Sequence, residues 1–167
     1  IKAGLVTVNE TKAQMPEQQI DETTDRICYK GQLCSYEKQV YYMLYKPAGV
    51  VSATEDKRDK TVVSLLQTEN RKDLFPIGRL DKDTEGLLVL TNDGALAHDL
   101  LSPRKHVEKE YECHLRDAIT PEQITALEEG VDIGEKQPTR PAKVIILSED
   151  KITLSITEGK FHQVKRM

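Results

Sequence analysis

Residues 75–94, FPIGRLDKDTEGLLVLTNDG, set Arg79, Asp81, Lys82, Asp83 and Glu85 into a short charged segment between apolar runs. A carboxylate just ahead of a core strand can be fixed at a sheet edge by backbone groups. A neighbouring arginine can then hold it ionised and oriented, as a nucleophile requires. Arg79 is close enough in sequence to form that ion pair with Asp81. The competing reading is that Asp81, Asp83 and Glu85 only solvate a tight connection, as surface loops do. A third arrangement, acid–base work shared by Asp81 and Glu85, has only the charge cluster behind it. Composition and spacing leave these open.

Other familiar chemistries find no support. There is no GxxxxGKT phosphate cradle and no GxSxG elbow, and Ser35, Ser52, Ser64, Ser102, Ser148 and Ser155 have no triad context. His98, His106, His114 and His162 lack metal-ligand spacing. Cys28, Cys34 and Cys113 contain no CxxC pair, which predicts reduced thiols in a cytosolic protein.

The elements that must position the charged segment are readable in part. LVTVN at 5–9 alternates and ends at a turn residue, predicting a short strand. Residues 10–26 are polar and aperiodic, a loop with one further pairing element around RICYKGQ. Residues 1–38 thus read as a small unit linked to 39–167. QVYYMLYK, at 39–46, predicts a strand stopped by Pro47. PAGVVSATEDKRDK reads as loop or frayed hairpin, and Val62, Val63, Leu65 and Leu66 have helical spacing behind Asp59 as a cap. GLLVLT predicts a strand buried on both faces or nearly so. NDGALAHDLLSP predicts a helix capped by Asn92 or Asp93, packing through Ala95, Leu96, Leu100 and Leu101, with Pro103 just beyond it. EYECHLRD alternates, with Tyr111, Cys113 and Leu115 on one face. TPEQITALEEG carries a full helix signature: Thr120 cap, Pro121 first, Gln123 closing a capping box, Gly130 as stop. AKVIIL and KITLSIT are strands joined by a turn near Glu149 and Asp150. The expected class is α+β with more strand than helix.

The chain has 167 residues, 38% hydrophobic and 31% charged, and no run able to cross a bilayer. It opens at Ile1 with no signal-peptide pattern. Twenty-four basic and 28 acidic residues give a net charge of -4, an average that argues mildly against a nucleic-acid partner. Local charge differs: GKFHQVKRM contains Lys160, Lys165 and Arg166 without an acid, and PRKH at 103–106 is a second basic knot. An acidic average can hide a basic face.

IGRLDKDTEGLLVLTNDG resembles the signature of the pseudouridine synthases, in the branch acting on bacterial small- and large-subunit ribosomal RNA. MLYKPAGVVSA is similar to that branch's NKPxGxxS stretch, KEYECHL to its Lys-x-Tyr strand, and ITEGKFHQVKRM to its closing EGxxHQVRRM. IKAGLVTVNE resembles the end of an S4 RNA-binding domain. The resemblance implies the end of an S4-like domain plus linker at 1–38. It implies the synthase catalytic fold, a mixed or antiparallel sheet with flanking helices, at 39–167, with more strand and helix expected after 167. It departs from the pattern at Glu10, where glycine is usual, and at Tyr45, where asparagine is usual.

The implied activity is isomerisation of uridine to pseudouridine within RNA. Asp81 is the implied catalytic residue, adding at the sugar or assisting loss of a proton. Tyr111 would stack on the base or accept a proton, and Arg79 would orient Asp81 or meet a phosphate. Because the base must leave the stack, phosphate anchors are needed. Lys160, Lys165 and Arg166 are candidates, with Arg104, Lys105 and Lys109 as a second set. Leu80, Phe161 and Val164 are candidates for the uracil pocket, while Thr84 and Gly86 shape the aspartate's loop. No cofactor or metal is implied. The implied partner is ribosomal RNA, with a monomer in the bacterial cytoplasm and no membrane. YYMLYKPAGVVSATEDKRDKTVVSLL looks most like the small-subunit 16S rRNA enzymes, whose target would be uridine 516. The alternatives are a large-subunit 23S rRNA synthase of the same branch and a non-catalytic rRNA-binding or assembly factor.

Overall fold

A computed structural model of the chain describes residues 1–34, 37–66, 71, 73–102, 104–105 and 107–167. Ser35, Pro103 and His106 of the basic knot lie outside the described residues. The chain divides into two compact units, Ile1–Val40 and Tyr41–Met167.

The first unit is a four-stranded antiparallel sheet in the order β2-β1-β3-β4, with β1 at Val6–Val8, β2 at Thr11–Lys12, β3 at Ile27–Tyr29 and β4 at Gln32–Leu33. The β1–β2 hairpin keeps a two-residue turn with positive φ at both Asn9 and Glu10 even without glycine. The Asn9 side chain secures it, donating to Asp25 at 2.7 Å and accepting from the Arg26 amide at 2.9 Å. Nothing in this unit identifies it as a distinct S4-type module.

The second unit holds two three-stranded antiparallel sheets. One has the order β5-β7-β6, from Tyr41–Lys46, Gly86–Thr91 and Phe75–Ile77. The other has the order β8-β10-β9, from Lys109–His114, Lys151–Ile156 and Lys143–Ser148. Strand β6 carries Pro76 and was not expected; a three-residue edge strand tolerates the missing amide. The α+β class stands. Each sheet has its own core: Val50, Val62, Leu88 and Leu90 against the first, Leu127, Ala142, Ile152, Leu154 and Ile156 against the second. Among the described residues no helix is long and apolar enough to cross a membrane.

Three local expectations are corrected. Strand β7 is buried on one face only: Leu88 and Leu90 point into the core, whereas Leu87 is 68% exposed. The continuous apolar run therefore disguised an ordinary alternation. The segment after Asp59 forms a single 3-10 turn, Val63–Leu65, and Asp59 caps nothing, because its carboxylate takes the Lys82 ammonium at 2.7 Å. Thr61 supports that turn instead, its hydroxyl accepting from the Ser64 amide. In helix α1, Gly94–Leu101, Ala97 is the buried residue while Ala95 and Leu101 are exposed. Helix α2, Pro121–Glu129, has every predicted cap.

Candidate active site

The loop between β6 and β7 is held in shape from behind by the segment after β5. Lys46 ends β5 with no exposed surface, an uncommon place for a lysine unless it is fully paired. Its ammonium donates to the carbonyls of Thr84 at 2.7 Å, Pro47 at 3.1 Å and Lys82 at 3.2 Å. Burial pushes the Lys46 pKa down, opposed by the charges of Asp83, Asp81 and Glu85. The Gly49 amide donates to the Lys82 carbonyl at 2.7 Å from a left-handed φ of +84°, which a side chain would strain. The buried Ser52 hydroxyl donates to the Leu80 carbonyl at 2.8 Å, and the Thr84 amide closes a turn on the Asp81 carbonyl at 3.1 Å. Lys46, Gly49 and Ser52 thus fix the backbone on both sides of Asp81. Gly86, at φ +126°, releases the chain into β7.

From the front the loop meets helix α3, Gln163–Arg166, which follows β10. Lys165 Nζ lies 3.4 Å from Asp81 Oδ2 and also donates to Asp83. His162 Nε2 lies 3.6 Å from Asp81 Oδ1. The Asp81 side chain is 21% exposed, so the carboxylate sits in a shallow recess with Lys165 against one oxygen and His162 against the other. The hydrogen bond to Asp83, then the contacts with Asp81, raise the Lys165 pKa; the same bond lowers that of Asp83.

Tyr111, on β8, completes the group. It is half-buried against the second core, and burial followed by the Asp81 charge raises its pKa. The phenol is therefore held neutral beside an anion. Val164 packs on the same core, and Leu80 packs on the other. Phe161 is 72% exposed, so it is no core residue.

Several expected roles change. Arg79 is exposed and makes no ion pair with Asp81; that place belongs to Lys165 and His162. The three C-terminal cations are not free anchors in this conformation. Lys165 is in the site, Lys160 donates to the carbonyls of Gln137 and Pro138, and Arg166 ties the carbonyls of Phe161 and Ile133 to Glu135. In the second set Arg104 is exposed, Lys105 pairs with Asp99 at 3.6 Å, and Lys109 donates to the Val107 carbonyl at 3.3 Å. Glu85 accepts from the Tyr45 hydroxyl at 3.2 Å. The residues that sequence reasoning missed at Asp81 are His162 and, in this role, Lys165. Only the HQVK spacing after the last strand marked them, and it said nothing of what they meet.

The group is a clamped, partly exposed carboxylate beside a neutral phenol. Among the described residues no cluster of His, Cys, Asp and Glu could hold a metal ion.

The RNA pseudouridylate synthase family profile matches residues 40–167, which includes every residue just described at the site. The chain is 50% identical over its whole length to the uncharacterized RNA pseudouridine synthase YtzG of Bacillus subtilis, covering 72% of that protein. It is 38% identical to ribosomal small subunit pseudouridine synthase A of Vibrio cholerae, again over the whole chain and 72% of the relative. It is 40% identical to ribosomal large subunit pseudouridine synthase B of Bacillus subtilis, over 86% of this chain and 61% of that one. A crystal structure of a pseudouridylate synthase superposes with a TM-score of 0.73 at 36% identity, over 99% of this chain and 71% of the other. The chain belongs to the RNA pseudouridylate synthase family, and the enzyme is a pseudouridine synthase.

Proposed function

We propose that the chain isomerises a uridine of small-subunit ribosomal RNA, uridine 516 of 16S rRNA, with Asp81 as the reacting carboxylate. The observation that carries the chemistry is the division of Asp81's two oxygens between Lys165 and His162, beside Tyr111. The Lys165 ammonium and the His162 imidazole, one against each oxygen, fix the carboxylate in a partly dry recess, which is what attack at C1′ or removal of the C2′ proton requires. Either route breaks the bond from C1′ to N1, lets the uracil turn, and rejoins it through C5, whose proton then leaves. Tyr111, held as the neutral phenol, suits stacking on the turned base and donating a hydrogen bond better than accepting that proton. Phe161 and Val164 flank the open side, with Leu80 behind the loop. Exposed Arg79 and Arg104 are the assigned phosphate contacts, because among the described residues neither is paired with an acid. Residues 1–38 are read as the end of an S4-like module that brings further RNA contacts.

The 16S assignment rests on the small-subunit relatives that match along the whole chain. The large-subunit relative at 40% identity supports 23S rRNA as the second reading. The test is purified full-length protein incubated with unmodified 16S and 23S transcripts, followed by chemical mapping of pseudouridine. Modification of 16S at uridine 516, lost in Asp81→Asn with RNA affinity retained, is the expected result. Modification of 23S alone moves the assignment to the second reading. An Asp81→Asn protein as active as the wild type removes Asp81 from the chemistry.

A further inference from the structure

We infer that His162 is a positioning residue of the reaction, setting the orientation of the Asp81 carboxylate. This deepens the proposed function and rests on it.

Three independent features of residue 162 point this way. First, its Nε2 lies 3.6 Å from Asp81 Oδ1, the oxygen that Lys165 leaves alone. A single cation donor on Oδ2 would let the carboxylate swing about its last torsion. An imidazole placed against the other oxygen limits that freedom. Second, the backbone of His162 is left-handed, φ 48° and ψ 37°, a conformation that costs a β-carbon residue free energy and persists only where its surroundings impose it. The surroundings do so on both sides. The Arg166 guanidinium donates to the Phe161 carbonyl at 2.9 Å, and the buried Gln163 side chain accepts from the Lys160 amide at 2.9 Å while donating to Glu158 at 3.0 Å. Third, the imidazole is stacked on the Phe161 ring, with centroids 3.8 Å apart and planes 21° from parallel. Phe161 is 72% exposed, and its ring braces the imidazole from one side. Strain, brace and contact all aim one nitrogen at one carboxylate oxygen.

A ring that served only as a shelf for RNA would need no nitrogen at that place, and a residue that served only to turn the chain would be replaceable by asparagine, which tolerates this backbone. The two predictions separate in steady-state kinetics on the full-length protein with the rRNA transcript that the wild type modifies. His162→Asn keeps the turn and loses the reach to Asp81; its kcat should fall about 100-fold, the cost of a small misplacement of a reacting group, while KM stays within about twofold. His162→Gln returns an amide donor near the Nε2 position and should recover at least about tenfold of that loss. The inference is overturned if His162→Asn keeps kcat within about twofold of the wild type, if its loss lies in KM alone, or if glutamine is no better than asparagine. Should His162→Asn fail to fold by its melting curve, His162→Gln decides alone: kcat at least about a tenth of wild type supports the inference and a lower one overturns it. A wild type that modifies no transcript refutes the proposed function itself, a result distinct from all of these.

Discussion

Replacing Lys46 by methionine isolates what fixes the Asp81 loop, since methionine keeps most of the side-chain volume and removes the charge and its three hydrogen bonds. The Lys82 carbonyl keeps the Gly49 amide as a donor, so it is not orphaned. The Thr84 and Pro47 carbonyls lose the donor they have among the described residues. A fully buried acceptor left unpaired costs about 1–3 kcal/mol, and less is lost here because Thr84 is half-buried and Pro47 is exposed. Ending the desolvation that depresses the Lys46 pKa returns part of that. A net loss of about 2 kcal/mol follows, which for a chain of this size lowers the melting temperature by roughly 6 °C. The sign in pH is also fixed. The folded pKa lies below the unfolded one, so the penalty is fully present below the folded value. It is relieved as pH rises from there towards about 10.4, and the variant should lack this gain. Melting curves and single-turnover rates well below the melting point are the assay. Because the loop carrying Asp81 loosens, the rate should fall at least about tenfold even in folded protein. A variant that melts within about 2 °C of the wild type and reacts at full rate would refute the account of this lysine as the loop's anchor.

Lys165→Met should lower kcat about 100-fold with little change in KM, read from the same rRNA assay, because Asp81 loses the cation on Oδ2; a rise in KM alone would return Lys165 to phosphate binding. Asp93→Ala should lower the melting temperature by a few degrees, since Asp93 accepts from the amides of Ala95 and Leu96 at the start of α1 and from the Tyr41 hydroxyl. The Asp83–Lys165 pair has a defined pH window. Asp83 has a lowered folded pKa, so its contribution is present above the unfolded carboxylate value and is lost as pH falls through the lower folded one; Lys165 has a raised pKa, so its contribution is present below the unfolded lysine value and is lost as pH rises through the higher folded one. Activity should therefore plateau across neutral pH, and Asp83→Asn should pull the alkaline edge of the profile downward; an unmoved edge would detach Asp83 from the site.

What the sequence made legible follows the range of the interactions involved. Helix α2 could be read residue by residue because its caps lie within one turn of each other, and the alternation of Tyr111, Cys113 and Leu115 sufficed to place one face of β8 inward. Strand β7 misled because Leu87 and Val89 interrupt no apolar run, and only the neighbours on its outer face decide that Leu87 is left in water. The site shows the same limit more sharply. Arg79 was the natural partner for Asp81 by proximity along the chain, yet the partner found is Lys165, whose bond to neighbouring Asp83 spans 82 residues. Two residues apart in a tight loop, side chains commonly diverge. A carboxylate that must stay accessible to RNA on one side is better held by a group arriving from another element, which can be braced independently of the loop it holds. The basic tail then has two jobs that one-dimensional charge cannot separate: Lys160 and Arg166 fasten carbonyls so that Lys165 and His162 arrive at Asp81 already aimed. A cation in such a motif is thus as much a part of the backbone's hydrogen bonding as of the RNA surface, and its charge alone does not say which.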